Sequence, residues 1–140
     1  MNPDLIDIKI RAVEGGVTAA AGFKAAGIHA GFRKNPERLD YALVVPDKPC
    51  PGAGVFTTNR FCAAPVQVSR ANLGGADKGY GIIAGVSINS GNANAATGET
   101  GLACARETCN IASQVIGCEP QQILVASTGV IGQILPIDTF

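Results

Sequence analysis

Residues 98–132 read GETGLACARETCNIASQVIGCEPQQILVASTGVIG, and in this stretch a helical pattern is followed directly by a strand pattern. Small and apolar side chains recur at alternating steps of three and four, which places them on one face of a helix at about residues 98–116. A threonine, Thr97 or Thr100, is expected to cap the start of this helix, and Gly117 followed by Pro120 is expected to end it. The expected buried face consists of Leu102, Ala105, Cys109, Ala112 and Ile116, and the exposed face includes Arg106, Glu107 and Gln114.

The segment after the helix, 122–127, is mostly apolar and predicts a buried strand that leads directly into Thr128 and Gly129. The rest of the chain is predicted to be mainly β-structure. Strands are expected at 5–13, 41–45, 55–59, 65–69 and 81–89, extended glycine-rich chain at 15–32, and turns at 33–40, 48–54 and 74–75. Several strands with one long helix predict an α+β fold in which helices lie outside β-layers, and residues 1–140 are expected to form a single domain.

The charge balance and the apolar pattern exclude two classes of partner. Lys and Arg together number 11, and so do Asp and Glu, so the net charge is zero. Without a surplus of positive charge, nucleic acid and anionic membrane surfaces are poor partners. The amino terminus lacks the basic and apolar regions of a signal peptide, and the apolar stretches are too short to cross a bilayer. The sequence therefore predicts a soluble, cytoplasmic protein that binds neither nucleic acid nor membrane.

Side chains that commonly bind metals or act as nucleophiles are few. The five cysteines include no C-x-x-C pair, and their odd number argues against a disulfide framework, so reduced thiols and no metal site are expected. They are Cys50, Cys62, Cys104, Cys109 and Cys118. His29 is the only histidine, and nothing in its surroundings, GIHAG, marks it as a general base. A structural role for His29 is therefore favoured over a catalytic one.

Two glycine-rich segments resemble phosphate-binding loops only in part. GAG at 52–54 lacks the third glycine of the dinucleotide fingerprint, because position 57 is threonine. SGNANAATG at 90–98 lies between a predicted strand and a helix but has no Gly-Lys-Ser/Thr, so nucleotide binding is not favoured. The asparagines of 89–98 suit turn positions with positive φ. Two interpretations of this segment stay open: a structural loop that shapes a site, or a loop that contacts catalytic or substrate groups directly.

The third glycine-rich segment, STGVIG at 127–132, is a candidate for binding a developing negative charge. The predicted strand is expected to end here and to release backbone N–H groups from the sheet. Gly129 permits positive φ and a close approach to its N–H, and Thr128 adds a hydroxyl donor. Two converging donors are what an oxyanion hole requires, although Thr-Gly after a strand is commonly only a turn. These six residues alone leave both interpretations open.

Eight short motifs occur in a fixed order from about residue 15 to the end of the chain. They are GGVT (15–18), GFKAAG (22–27), GVFTTN (54–59), AAPV (63–66), NSGNANA (89–95), TG (97–98), ASTGVIG (126–132) and LP (135–136). Each motif alone is unspecific. Their combination, order and spacing resemble the ornithine acetyltransferase family, also called the bifunctional glutamate N-acetyltransferases.

The resemblance implies a fold, a reaction and partners. It implies part of an α/β/β/α sandwich resembling the N-terminal-nucleophile hydrolases. Family members cut themselves into α and β chains, form α2β2 heterotetramers, and use the new amino-terminal threonine of the β chain as nucleophile. That threonine takes acetyl from N-acetylornithine and passes it to glutamate in arginine biosynthesis; bifunctional members can also use acetyl-CoA, and no cofactor is implied. The family's oxyanion hole maps onto Thr128 and Gly129.

A threonine activated by an amine needs no histidine base, which agrees with the unmarked His29. These residues resemble the amino-terminal part of the family's α chain, which continues past the position of Phe140. The self-cleavage site and the nucleophile are therefore expected outside residues 1–140, and no substrate-binding residue is assigned. Two alternatives stay open: a self-processing aminopeptidase of related fold that hydrolyses an amide, and a non-catalytic scaffold module that kept the fold.

Overall fold

A four-stranded sheet is the centre of the structure, a computed structural model that describes residues 11–75 and 77–140. In chain order the strands are β1 (Phe23–Ile28), β2 (Tyr41–Pro46), β3 (Cys50–Ala53), β4 (Tyr80–Ile83), β5 (Gly85–Asn92) and β6 (Ile123–Val130). The sheet has the order β1-β2-β5-β6; its first two neighbouring pairs are antiparallel, and β5 and β6 are parallel. Strands β3 and β4 form a separate antiparallel pair.

Two α-helices in the described part of the chain, α1 (Ala64–Asn72) and α2 (Gly98–Ile116), pack against β6 and against each other. Helix α2 connects β5 to β6, because parallel neighbours need a crossover connection. Both helices bury side chains against the same face of β6, in a core cluster of Ala64, Val68, Ala105, Cys109, Ala112, Ile123 and Val125. Short 3-10 helices occur at Gly16–Ala19, Pro120–Gln122 and Ile137–Thr139.

Helix α2 confirms the span that its sequence pattern predicts. The expected buried face is also confirmed at its centre, where Ala105, Cys109 and Ala112 are buried, whereas Leu102 and Ile116 near the ends are half-buried. The residues expected on the opposite face, Arg106, Glu107 and Gln114, are all exposed.

The two ends of α2 differ in how well the sequence predicts them. Gly117 terminates the helix with a φ of 80°, and its N–H donates to the Ser113 carbonyl, as a left-handed cap requires. The expected threonine cap is confirmed in its position but not in its hydrogen bond. Thr97 stands at the capping position, but its hydroxyl donates to Asn94 Oδ1 and accepts no helical N–H.

Helix α1 corrects the strand expected at 65–69. The β-branched Val66 and Val68 favour a strand locally. However, Pro65 suits the first turn of a helix, where its missing N–H has no helical partner to lose. Ala64 and Val68 lie four residues apart and are buried together in the core, so tertiary packing selects the helix.

Helix α1 also covers the free edge of β6. The Ser69 hydroxyl donates to the Val125 carbonyl at 2.8 Å and accepts from the Val125 N–H at 2.9 Å. Asn72 Nδ2 donates to the Ile123 carbonyl at 2.7 Å. Among residues 11–75 and 77–140, β6 has a neighbouring strand on one side only, so these side chains satisfy backbone groups that the sheet leaves unpaired.

The remaining expectations are partly confirmed. The turns at 33–40 and 74–75 and the strands at 41–45 and 122–127 are present. The turn expected at 48–54 contains β3, and the strand expected at 55–59 has no regular structure. The strand expected at 81–89 is divided into β4 and β5 at Ala84, whose N–H bonds outside the ladder to the Gln122 carbonyl. The segment 15–32 holds a 3-10 helix and β1, and most of the strand expected at 5–13 lies outside the described residues.

Candidate active site

Thr128 and Gly129 lie near the C-terminal end of β6, and both are exposed. The sequence predicts that the strand ends before Thr128, but β6 continues to Val130. Gly129 pairs with Gly91 of β5, and the register becomes irregular immediately after Gly91. Gly129 and Gly91 have positive φ angles, 137° and 105°, which residues with a side chain rarely adopt. Glycine at both positions lets the two backbones stay in contact in this conformation.

Thr128 points away from the two helices. Alternate residues of a strand face opposite sides of a sheet, and Ile123 and Val125 face the helical core. Thr128 therefore shares the other, exposed face with Ala126 and Val130. The Thr128 hydroxyl has no hydrogen-bond partner among the described residues. It differs in this from the Thr97 hydroxyl, which donates to Asn94 Oδ1. The Thr128 hydroxyl is thus free to donate to a bound molecule.

The asparagines of the 89–98 segment bond to the backbone around this pair. Asn89 Nδ2 donates to the Asn92 carbonyl, and Asn92 Oδ1 accepts the N–H of Asn94. Asn92 Nδ2 donates to the carbonyls of Gln133 and Ile134. Asn92 and Asn94 are 4% and 0% exposed, and Asn94 has the expected positive φ, 45°. These bonds support the interpretation of a structural loop that shapes the site.

His29 forms a pair with a buried carboxylate, Asp40, which no sequence motif indicates. Its Nδ1 lies 3.3 Å from Asp40 Oδ2 and 3.0 Å from the Arg38 carbonyl oxygen. Among the described residues, no hydroxyl or thiol hydrogen-bonds to the ring, so the pair lacks the nucleophile of a Ser-His-Asp arrangement. The geometry agrees with the structural role expected for His29.

Asp40 anchors the loop at 30–33. Its carboxylate accepts the N–H groups of Ala30 and Arg33 at 2.6 and 2.7 Å. Burial raises the pKa of this carboxyl, but the backbone hydrogen bonds and the nearby His29 lower it, and the net pKa lies below its ordinary value. The loop then reaches β5, where Arg33 Nε donates to Ser90 Oγ at 3.1 Å. In the sequence, Asp40 is recognisable only as an acidic residue directly before a predicted strand. The N–H groups that it binds are evident only in the folded chain.

The five cysteines are free thiols, and three of them are poorly suited to nucleophilic chemistry. Burial raises the pKa of Cys109 to about 11, against a smaller opposite effect of a hydrogen bond from Asn72. Burial also raises the pKa of Cys104 and Cys118. Thiols with raised pKa values hold little reactive thiolate at neutral pH. The described residues contain no group of three His, Cys, Asp or Glu side chains arranged to hold a metal ion, and none of their helices is long and apolar enough to cross a membrane.

Several clefts open on the described part of the chain, and two of them adjoin helix α1. One, of about 300 Å³, lies between the starts of α1 and α2 and is lined by Cys62, Thr97 and Ile131, among others. The other, of about 710 Å³, is bounded by residues 54–60 and by Arg70. Neither is lined by Thr128 or Gly129. A third cleft, of about 310 Å³, is lined by Gly91 and Asn92, which lie opposite Gly129. Thr128 and Gly129 do not line it either, so the candidate pair itself lies at the exposed end of β6.

Comparison with known proteins gives one consistent family. The model of the ArgJ family matches residues 24–140. A relative from Dehalococcoides mccartyi, named arginine biosynthesis bifunctional protein ArgJ, is 46% identical over 126 residues, or 89% of this chain. A relative of the same name from Bifidobacterium longum is 50% identical over 123 residues, or 87% of this chain. Each match covers 30% of the relative, so the chain spans less than a third of the length of these curated relatives.

Two solved structures share the fold. The crystal structure of arginine biosynthesis bifunctional protein ArgJ from Bacillus halodurans superposes with a TM-score of 0.80 at 36% identity, covering 89% of this chain and 62% of that one. Ornithine acetyltransferase from Mycobacterium tuberculosis, complexed with ornithine, gives a TM-score of 0.77 at 39% identity, covering 89% and 64%. The expected fold class is thereby confirmed: an α+β chain that forms part of an α/β/β/α sandwich resembling the N-terminal-nucleophile hydrolases.

Proposed function

This chain belongs to the ArgJ family, and we propose that it is the amino-terminal, α-chain part of a glutamate N-acetyltransferase of arginine biosynthesis. In this proposal the enzyme transfers acetyl from N-acetylornithine to glutamate, its bifunctional form also accepts acetyl-CoA, and no resident cofactor takes part. The nucleophile is the amino-terminal threonine of a β chain released by self-cleavage. Chains of both kinds assemble as a cytoplasmic α2β2 heterotetramer. Similarity to ArgJ proteins along most of this chain supports the assignment.

The observation that carries the proposed role of this chain is the exposed hydroxyl of Thr128 beside the backbone of Gly129. The two residues occupy the end of a strand that Ile123 and Val125 anchor on the helical core. Donors on a rigid element need no reorganisation when charge develops in front of them. We therefore propose that the Thr128 hydroxyl and the Gly129 N–H form the oxyanion hole.

The first half-reaction transfers acetyl to the enzyme. The hydroxyl oxygen of the nucleophilic threonine attacks the acetyl carbonyl carbon of N-acetylornithine, and its proton passes to the threonine's own amine. The carbonyl oxygen becomes negatively charged and accepts hydrogen bonds from the two donors of this chain. When the C–N bond breaks, the ornithine nitrogen takes a proton and leaves as an amine, and an acetyl ester of threonine remains.

The second half-reaction regenerates the nucleophile. The neutral amine of glutamate attacks the carbonyl carbon of the ester, the same oxygen again becomes negative, and the threonine oxygen leaves and is protonated. N-acetylglutamate is released. Because both half-reactions place the negative charge on the same oxygen, one oxyanion hole serves both, and the kinetics are expected to be ping-pong.

An assay of the complete enzyme tests the proposal. Incubated with N-acetylornithine and glutamate, it is expected to form ornithine and N-acetylglutamate in equal amounts and to yield a β chain heavier by one acetyl group when glutamate is omitted. Residues 1–140 alone are expected to show no turnover, because the proposed nucleophile lies outside them.

The same assay separates the alternatives. Release of amino acids from peptides without acetyl transfer would identify a self-processing aminopeptidase instead. Absence of both activities in a correctly folded, complete protein would favour a scaffold module. Turnover by residues 1–140 alone would show that the nucleophile lies within this chain.

A further inference from the structure

Backbone hydrogen bonds join the segment that follows Gly129 to the segment that follows Gly91. The Ala93 N–H donates to the Val130 carbonyl at 2.9 Å, and the Gly132 N–H donates to the Ala95 carbonyl at 2.8 Å. These bonds connect residues 93–95 to residues 130–132, just beyond the parallel pairing of β5 and β6. The position of Gly129 therefore depends on the segment that follows β5.

The side chain of Asn92 adds further hydrogen bonds between the same two segments. Its Nδ2 donates to the carbonyls of Gln133 and Ile134 at 3.3 and 3.1 Å, and its Oδ1 accepts the Asn94 N–H at 2.7 Å. The residue is 4% exposed, so these amide groups have no ready replacement from water. Both ends of one side-chain amide thus fix two backbone segments relative to each other.

Asn92 also stands at the irregularity of the parallel pair. It is in register with both Thr128 and Val130, so it lies opposite Gly129 where the ladder shifts. A bulge of this kind changes the direction of the backbone locally and needs support to hold one conformation. The Asn92 amide supplies that support on the carboxyl side of Gly129.

We infer that Asn92 is a positioning residue for the oxyanion hole, and this inference rests on the proposed function. Asn92 is buried and acts through the backbone: its amide holds residues 133 and 134, and thereby the direction of the Gly129 N–H beside Thr128. Catalytic donors must be held within about 0.5 Å of their working geometry. A displacement of about 1 Å costs on the order of 10²-fold in rate.

The chain offers a matched control at the other end of β6. Asn72 Nδ2 donates to the carbonyls of Ile123 and Pro120, at 2.7 and 3.4 Å, so it holds two backbone carbonyls just as Asn92 does. Asn72→Asp and Asn92→Asp make the same chemical change. Both replace a donating NH₂ by an oxygen that faces carbonyl oxygens. Only Asn92 is adjacent to the proposed oxyanion hole.

The experiment compares both variants in the complete, self-cleaved enzyme, with rates normalised to mature β chain. Both are expected to lower the melting temperature. Asn92→Asp is expected to lower kcat for acetyl transfer on the order of 10²-fold while the KM for N-acetylornithine changes by about 2-fold or less. Asn72→Asp is expected to leave kcat within about 2-fold of wild type. Asn92→Ser keeps a neutral donor and introduces no repulsion, so its kcat is expected to lie between those of wild type and Asn92→Asp. If Asn92→Asp does not cleave itself, Asn92→Ser takes its place in the comparison with Asn72→Asp.

Two results would overturn the inference. One is a kcat for the Asn92 variants that equals the wild-type value, and the other is an equal loss of kcat in the Asn72 and Asn92 variants. Both leave the proposed function intact, since wild-type enzyme transfers acetyl in either case. A mature wild-type enzyme that transfers no acetyl refutes the proposed function itself.

Discussion

Gly129 faces Gly91 so closely that a Cβ added to Gly129 would lie 2.3 Å from the Gly91 carbonyl carbon. The obstacle is backbone, which cannot rotate away as a flexible side chain can. Gly129 also has a φ of 137°, a conformation that L side chains rarely adopt. Glycine at this position is therefore required by packing as well as by any chemistry at its N–H.

Replacement of Gly129 by alanine is expected to push the ends of β5 and β6 apart. Gly132→Ala is the matched control, because Gly132 also has positive φ, 81°, but its Cβ would meet nothing within 4 Å. The control is expected to cost about 1–2 kcal/mol of backbone strain. Gly129→Ala is expected to cost clearly more in urea unfolding of the complete enzyme. Equal losses of unfolding free energy in the two variants would mean that β5 and β6 can move apart at Gly91 and Gly129 at little cost.

Ser69→Ala tests how α1 supports the strand that carries Thr128. The substitution removes the donor and the acceptor that serve the Val125 backbone, and it is expected to cost about 1–3 kcal/mol of unfolding free energy. Ser113 is equally buried but bonds within α2, to the Asn110 carbonyl, so Ser113→Ala is expected to cost less than about 1 kcal/mol. A Ser69→Ala variant as stable as the Ser113→Ala variant would contradict this role in covering the edge of β6.

The sequence predicts the elements whose pattern is local. Helix α2 has a long periodic face and a glycine terminator, and both can be recognised without knowledge of the rest of the chain. Helix α1 cannot be recognised in the same way, because its nine residues include two valines and its stability comes from packing on β6. The bond between Ser69 and Val125 joins residues 56 positions apart, and no local pattern reports it.

The candidate site shows the same division. The sequence and the family resemblance point to Thr128 and Gly129, and the structure places both at the exposed end of β6. The sequence does not indicate that the strand continues through them, because that depends on Gly91, which lies 38 positions earlier and faces Gly129 across the pair. Asp40 is likewise identified only when its backbone partners are in place.

Asp40→Asn is expected to lower stability at neutral pH by about 1.5–3 kcal/mol, because the uncharged amide binds the Ala30 and Arg33 N–H groups less strongly. The pKa of the folded carboxyl lies below its ordinary value of 3.8, so its contribution is full above that value and is lost as the pH falls through the lower, folded pKa. The stability difference between wild type and variant should therefore shrink in acid. Chemical unfolding at neutral pH and at about pH 3 measures it.

Asp47→Asn is the control for this pH dependence. Asp47 pairs with Lys24 at 2.8 Å, but its side chain is 52% exposed, and an ion pair in water contributes little to stability. The control is expected to differ little from wild type at either pH. A stability difference for Asp40→Asn that stays constant down to about pH 3 would show that the charge of Asp40 is not what holds the 30–33 loop.

Thr128→Val is the most direct test of the proposed oxyanion hole. Valine keeps the size, the β-branching and the strand preference of threonine, so the change removes one hydroxyl and little else. Negative charge develops on the acetyl oxygen chiefly in the transition state, so kcat in the mature enzyme should fall on the order of 10²–10³-fold, about 2.7–4 kcal/mol, with little change in KM. Thr128→Ser, which keeps the hydroxyl, should retain most of the rate, and Thr100→Val, at an exposed threonine of α2, should retain all of it. Self-cleavage is measured separately, and rates are normalised to mature β chain. An unchanged kcat in mature Thr128→Val enzyme would leave Thr128 as a strand residue without a part in the chemistry.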